Sequence, residues 1–359
     1  MAFAAPGLPF CAKLRLCIGF IDMAVRQSGF TRASSLGPIA QFIGAQGASI
    51  ERLLRDVDLP AALLDSPETL LPLREQFRLL EGCARATGDA HFGARLGQHV
   101  QVRRLSAFGK WVSEAPTLSG AILRSEQGLN AMLQTATELQ LVRRGPLAYW
   151  SIEFLDPECE GRYQNELLGI SYLIDCVRAF AGPRWKPNLV LTTAPRGTSK
   201  ASLETIFGTE VSTGHRVTAV AFDARLLAVQ NARAIPHAAQ GNTDIAGEPP
   251  VPGDEDILGA ISAVVSLALQ EGPPRLEWIA AKLGQSPRSL QRQLAGSGTT
   301  YLEVLERVLC ARARSLIGTT RTPIIEIALS LGYSDPAHFS RAFKRWTGAT
   351  PSAYRQAPS

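Results

Sequence analysis

LEWIAAKLGQSPRSLQRQL, residues 276–294, and PIIEIALSLGYSDPAHFSRAFKRWTGATPSAYR, residues 323–355, are the stretches that organise this chain of 359 residues. The second stretch is a weak repeat of the first. Ile279 recurs 48 residues later as Ile327, whereas Leu290 recurs after 49 residues as Phe339. One residue has therefore been added just after the turn of the second copy, and the two copies predict two similar structural units.

Each copy has the pattern of a helix, a tight turn and a second helix. Gly284 and Gly332 stand where the turn needs a positive φ, and Ser286 and Ser334 stand where the next helix can be capped. This is the pattern of a helix-turn-helix, whose second helix enters the DNA major groove. A single copy is weak evidence, since any short helical hairpin with a glycine turn resembles it, but two tandem copies favour DNA binding.

The segment between the copies, residues 301–317, contains neither glycine nor proline and has apolar residues at helical spacing. A helix of that length spans about 25 Å. Such a linker helix can set the two recognition helices about one DNA turn, roughly 34 Å, apart on one face of the duplex.

Charge is unevenly distributed along the chain. The net charge is +5, yet residues 282–355 hold 11 Lys or Arg against four acids, a net of +7, which leaves −2 for the rest. A basic segment on a slightly acidic body suggests a polyanion-binding module attached to a sensor, with a solvated basic surface as the alternative. The composition, 45% hydrophobic and 19% charged, excludes a wholly disordered, collagen-like or membrane-spanning protein.

The run at 323–355 resembles the signature end of the AraC/XylS family of bacterial transcription regulators, and the run at 276–294 matches the other half of that family's DNA-binding domain. Three upstream runs, at 105–122, 185–195 and 203–211, are similar to the arabinose-binding-type N-terminal effector domain of one subfamily. The resemblance implies an α+β N-terminal effector domain followed by an all-α C-terminal domain with two helix-turn-helix units joined by a linker helix. Leu309 departs from the family pattern, in which an Arg is usual, and this puts a stabilising contact between the two halves in doubt.

Four segments are expected along the chain. Residues 1–30 are read as a loose N-terminal extension without a signal peptide, in which Met23 is an alternative start, and residues 31–237 as an effector-binding and dimerisation domain. Residues 238–254, with three Pro and three Gly, are read as a linker, and residues 255–359 as the DNA-binding domain. Hydrophobic periodicity predicts helices over 37–59, 74–87, 117–133, 163–180 and 256–270. Strands are predicted over 139–142, 148–155, 188–193, 217–222 and 226–229.

The family match also places candidate DNA-reading residues in each recognition helix. In the first helix, 287–294, these are Arg288, Gln291 and Arg292. In the second helix they are Ala337, His338, Ser340, Arg341 and Lys344. Arg can make two hydrogen bonds to guanine and Gln two to adenine, although Arg292 and Arg341 could instead hold phosphates. The aromatic residues of the second unit are predicted to pack in its core rather than to stack on bases.

The N-terminal part shows no catalytic motif, so no enzyme and no cofactor or metal are expected. The resemblance implies instead a small-molecule effector, a homodimer and, for an activator, contact with RNA polymerase. Its effector-binding residues are unknown; the candidate polar groups are Arg103, Arg104, Arg143, Tyr149 and Glu153. Six scattered cysteines favour a cytoplasmic location. The alternative function is a metabolite-binding protein or enzyme whose tandem helical units mediate protein contacts.

Overall fold

The computed structural model describes residues 29–156, 160–197, 199–231 and 250–356. The helices of these residues are α1 (Ile39–Ala45), α2 (Ile50–Asp56), α3 (Leu73–Thr87), α4 (Phe92–Leu96), α5 (Ser106–Ser113), α6 (Leu118–Met132), α7 (Arg162–Ala181), α8 (Ala201–Phe207), α9 (Ile257–Ala268), α10 (Leu276–Lys282), α11 (Pro287–Gly296), α12 (Tyr301–Thr319), α13 (Ile324–Ser330), α14 (Pro336–Thr347) and α15 (Pro351–Gln356). The strands are β1 (Phe30–Arg32), β2 (Leu70–Pro72), β3 (Thr137–Arg144), β4 (Leu147–Phe154), β5 (Leu189–Leu191), β6 (Val211–Ser212) and β7 (Thr218–Asp223). Within these ranges, no helix combines the length and the apolar character that crossing a membrane requires.

The N-terminal part is a mixed α+β domain. Strands β1 and β2 pair antiparallel, and a second sheet has the strand order β3-β4-β7-β5-β6, with β5 and β6 parallel. Alternate residues of β4 are buried, among them Trp150 and Phe154, because successive side chains of a strand point to opposite faces. This face packs against α6 and α7 in one hydrophobic cluster. The predicted α+β class is confirmed.

Two local predictions in this domain are wrong. The single helix expected over 37–59 is divided into α1 and α2, because Gly47 adopts φ +77° between them and ends the first helical run. The strand expected over 226–229 is largely a 3₁₀ turn, Ala224–Ala228, whose first turn is capped by Asp223 accepting a hydrogen bond from the Arg225 amide. The other predicted helices and strands are present, with ends shifted by a few residues.

The C-terminal part is helical, as predicted, with α10 and α11 forming one helical hairpin, α13 and α14 a second, and α12 between them. Gly284 and Gly332 have φ of +68° and +85°, which confirms the two glycine turns. Ser286 caps α11 by accepting from the Ser289 amide, as expected. In the second unit Asp335, not Ser334, caps α14. The second copy is one residue longer than the first just after its turn, and the cap is the residue that follows the matching serine.

Helix α9 lies between the two parts of the structure. Its Leu267 packs in the hydrophobic cluster of α1 to α4, whereas Val264 and Val265 pack in the core of the helix-turn-helix units. Phe30 and Leu70 from β1 and β2 join that same C-terminal core. Most of the predicted extension, 1–30, and of the predicted linker, 238–254, lies outside the described residues.

Candidate nucleic-acid interface and interior cavity

Helix α11 presents its predicted DNA-reading residues to solvent. Leu290 and Leu294, one turn apart, are 0% and 1% exposed and attach the helix to the core. Arg288, Gln291 and Arg292 lie on the opposite, exposed face. The apolar spacing of the sequence therefore sets which side of α11 is available to a ligand.

Helix α14 has the same construction with different chemistry. Phe339 and Phe343 are fully buried, while Ala337, His338, Arg341 and Lys344 are exposed. Ser340 is half-buried, and its hydroxyl donates a hydrogen bond to the Pro336 carbonyl at 2.9 Å, so it remains part of the helix's own network. The ring of His338 contacts that of Tyr333, with centroids 5.8 Å apart.

Two basic side chains of α14 have acidic partners within the protein. Arg341 Nη2 lies 3.8 Å from Asp335 Oδ2, a long contact between two well exposed groups. Arg345 Nη2 lies 2.6 Å from Glu306 Oε1 of the linker helix and joins α14 to α12. The predicted core role of the aromatic residues is confirmed, because Phe339 and Phe343 are buried and Trp346, Tyr333 and Tyr354 pack against the same core.

The first helix-turn-helix unit is docked on the N-terminal domain through Lys282, at the end of α10. The Lys282 side chain is only 5% exposed, and its ammonium donates to the Val57 carbonyl at 2.7 Å. Nζ also lies 3.6 Å from Glu75 Oε2 and 3.7 Å from Asp58 Oδ2. Burial lowers the pKa of Lys282, and the two carboxylates oppose that shift. Trp278 Nε1 of the same helix donates to Asp58.

An interior cavity of about 70 Å³ lies in the N-terminal domain, between β3–β4 and helices α5, α6 and α7. Most of its wall is aliphatic or aromatic. Helix α3 contributes one polar residue, Gln76, whose amide donates to Asn165 Oδ1 at 2.7 Å. Glu75 and Gln76 are neighbours on α3, so this helix contacts the docked helix-turn-helix unit with Glu75 and the cavity with Gln76.

The polar candidates from the sequence do not line this cavity. Arg103, Arg104 and Arg143 are exposed, Tyr149 is half-buried, and Glu153 forms an ion pair with Arg216 at 3.1 Å. The cavity residues were not predicted, because they are ordinary core residue types contributed by distant elements. The burial of Lys282 was also not predicted, since in the sequence it is one more basic residue of the positively charged segment.

Paired helix-turn-helix units with exposed basic recognition helices, attached to a domain with an internal cavity, define a DNA-binding regulator with a sensor domain. The family profile described as the arabinose-binding domain of AraC transcription regulators matches residues 47–231, and a helix-turn-helix domain profile matches residues 279–357. The chain belongs to the AraC family of transcription regulators.

The chain is also similar to individual proteins, over different shares of its length. The ornithine utilization regulator of Pseudomonas aeruginosa is 49% identical over 85 residues, which are 24% of this chain and 25% of that protein. The HTH-type transcriptional regulator VirS of Mycobacterium tuberculosis is 25% identical over 327 residues, which are 90% of this chain and 96% of VirS. The crystal structure of transcriptional regulator CdpR from Pseudomonas aeruginosa is 23% identical and covers 74% of this chain and 86% of its own, with a TM-score of 0.34.

Proposed function

We propose that this regulator reads DNA with α11 and α14 in successive major grooves, through Arg288, Gln291 and Arg292 in the first unit. The observation that supports the proposal is the shared construction of the two helices, each held by buried apolar residues and exposing basic ones. In the second unit the proposed contacts come from Ala337, His338, Ser340, Arg341 and Lys344. Helix α14 has fewer long side chains that can donate hydrogen bonds to bases and are not already paired with an acid of the protein. The first unit therefore supplies most of the base discrimination.

The proposal includes a sensor function for the N-terminal domain. A small molecule in the cavity can shift the equilibrium between arrangements of the DNA-binding units only if it binds those arrangements with different affinity. We infer a cytoplasmic homodimer that activates transcription together with RNA polymerase. The modest charge excess supports the dimer, because limited non-specific attraction to DNA calls for several paired contacts. We also propose that the protein has no enzymatic activity, cofactor or metal, in line with its relatives, which are named as regulators. The four chain segments expected from the sequence are retained as the proposed domain organisation, except that Phe30 is counted with the N-terminal domain, because it is buried in β1.

The test is footprinting and gel-shift binding on DNA upstream of neighbouring genes, with Arg292→Ala and the control Arg103→Ala, which removes an exposed arginine of the N-terminal domain. We expect two protected patches about one helical turn apart. Arg292→Ala should weaken binding to the preferred site by about 1 to 3 kcal/mol and relax preference at one base pair, while Arg103→Ala has no such effect.

Two other outcomes are informative. Arg292→Ala could weaken binding to all DNA sequences equally and lower the slope of log affinity against log salt concentration by about 1. Arg292 then contacts the DNA backbone rather than a base. If the protein shows no sequence preference on duplex DNA at physiological salt, the proposed function is wrong, and the tandem units serve protein contacts instead.

A further inference from the structure

We propose that the cavity of the N-terminal domain binds a small, uncharged, mostly apolar molecule with one hydrogen-bond acceptor, such as an alcohol, ketone or ester. This inference rests on the proposed sensor function and specifies the chemistry of its effector. This ligand class differs from the sugar that the description of the arabinose-binding profile suggests. A sugar requires many polar partners, and this cavity offers few.

The wall of the cavity carries no ionisable acid or base among the residues that line it, apart from a tyrosine and a cysteine that burial keeps in their neutral forms. Its surface is made largely of buried side chains such as Leu105, Phe108, Leu129 and Leu173. A carboxylate or an ammonium group placed there would lose its hydration without gaining an opposite charge, which costs several kcal/mol or more. Charged metabolites, including amino acids, are therefore poor ligands for this site.

Several polar groups of the wall are already engaged with the protein. Ser35 Oγ hydrogen-bonds Gln76 Oε1 at 2.7 Å, and Gln76 Nε2 donates to Asn165. Ser125 Oγ donates to the Ala121 carbonyl at 2.8 Å. A ligand with many hydroxyl groups would have to break these bonds or leave its own hydroxyls unsatisfied, and each buried unsatisfied group costs about 1 to 3 kcal/mol. A sugar is disfavoured for this reason.

One donor of the wall is left over. The Trp150 side chain is 1% exposed, and its Nε1 has no hydrogen-bond partner within the described residues. Buried indole N–H groups usually have a partner, and an orphaned one is destabilising. A ligand oxygen next to this N–H would satisfy it, which is why we specify a single acceptor on an otherwise apolar molecule.

The size of the cavity limits the ligand. Its volume of about 70 Å³ corresponds to roughly five water molecules, if each needs about 10 to 15 Å³. That space suits a molecule with on the order of five to seven non-hydrogen atoms, if each takes about the room of one water. The adjacent pair Glu75 and Gln76 then gives the bound molecule a short connection, through α3, to the docked first helix-turn-helix unit.

The experiment compares three probes on the purified full-length protein by calorimetry and saturation-transfer NMR: 1-hexanol, hexanoate and L-arabinose. We expect 1-hexanol to bind, hexanoate to bind at least about tenfold more weakly, and L-arabinose to show no binding. Leu129→Phe, which fills the cavity, should reduce 1-hexanol affinity at least about tenfold. The matched control Leu123→Phe, on the exposed face of the same helix, should leave it unchanged. Trp150→Phe removes the N–H and should weaken binding about 2- to 12-fold.

The ligand class is overturned if hexanoate or L-arabinose binds more tightly than 1-hexanol, if 1-hexanol does not bind, or if its binding survives Leu129→Phe. Gel-shift binding of the same preparation to its preferred DNA separates this result from a failure of the proposed function. Retained sequence-specific DNA binding would leave the regulator function intact and reject only the ligand class.

Discussion

The contact of Lys282 with Glu75 predicts that a single uncharged replacement weakens the docking of the first helix-turn-helix unit on the N-terminal domain. In Glu75→Gln the Lys282 ammonium, 5% exposed, loses a carboxylate that is itself only 2% exposed. The Coulomb energy of two unit charges 3.6 Å apart is about 4 to 5 kcal/mol at an effective dielectric constant of roughly 20.

The net effect is smaller, because the Val57 carbonyl and Asp58 still contact the ammonium. We therefore expect docking to weaken by about 2 to 4 kcal/mol, close to the usual cost of removing one partner from a buried ion pair. The protein can avoid a buried, poorly paired charge by undocking α10. The loss should thus appear as undocking of this unit rather than as unfolding of either domain.

Trp278 provides the assay, since its indole on α10 donates to Asp58 of the N-terminal domain. In protein labelled with 5-fluorotryptophan, its ¹⁹F resonance, assigned with Trp278→Phe, should report docking. We expect the wild-type protein to show the docked resonance and Glu75→Gln a shifted or second resonance. The matched control is Glu204→Gln in the exposed pair with Lys200, 3.1 Å apart, which should change stability little and leave the Trp278 resonance unaffected, because exposed ion pairs contribute little to stability.

A double variant completes this test. Glu75→Gln combined with Lys282→Met removes both buried charges and leaves their outer partners, Arg78 and Asp58, which are 45% and 69% exposed and can be solvated. The double variant should restore most of the docked resonance, since replacement of a buried ion pair by uncharged side chains is often nearly neutral. The reasoning is refuted if Glu75→Gln gives the same Trp278 resonance as the wild type and as Glu204→Gln. It is also refuted if the double variant is less docked than either single variant.

Two further predictions concern a helix cap and a histidine. Asp335→Ala should lower the free energy of unfolding of the C-terminal domain by about 1 kcal/mol in urea titrations, because α14 loses its cap, whereas Ser334→Ala should have little effect; equal losses would contradict the assigned cap. Burial lowers the pKa of His91 below 6.5, so the unfolded chain binds the proton more readily, and stability should fall as pH falls through the window below 6.5. His91→Gln should flatten this pH dependence relative to the wild type, and identical slopes would exclude His91 as a source of it.

The helix-turn-helix units could be predicted from sequence because their information is local. Within each unit, the glycine turn, the apolar spacing of the recognition helix and the basic residues between the apolar ones lie in one short stretch, residues 284–294 in the first unit and 332–344 in the second. The cap of α14 shows the limit of a repeat argument, since Ser334 matches Ser286 in sequence but Asp335 makes the hydrogen bond. Periodicity alone also missed the break at Gly47, because apolar residues continue on both sides of it.

The cavity and the docked Lys282 depend instead on long-range packing. Residues of α3, α5, α6, β4 and α7 form the cavity wall, and each is an ordinary core residue in its own segment. Lys282 looks like a surface cation in sequence. It is buried because Val57 and Asp58, which directly follow α2, supply a carbonyl and a carboxylate, and Glu75 of α3 supplies a second carboxylate. The family, the two units and the faces that their recognition helices expose are thus encoded in short-range patterns. The chemistry of the sensor cavity and its connection to the first unit arise only when distant elements pack together, because neither burial nor an orphaned N–H is a property of a segment by itself.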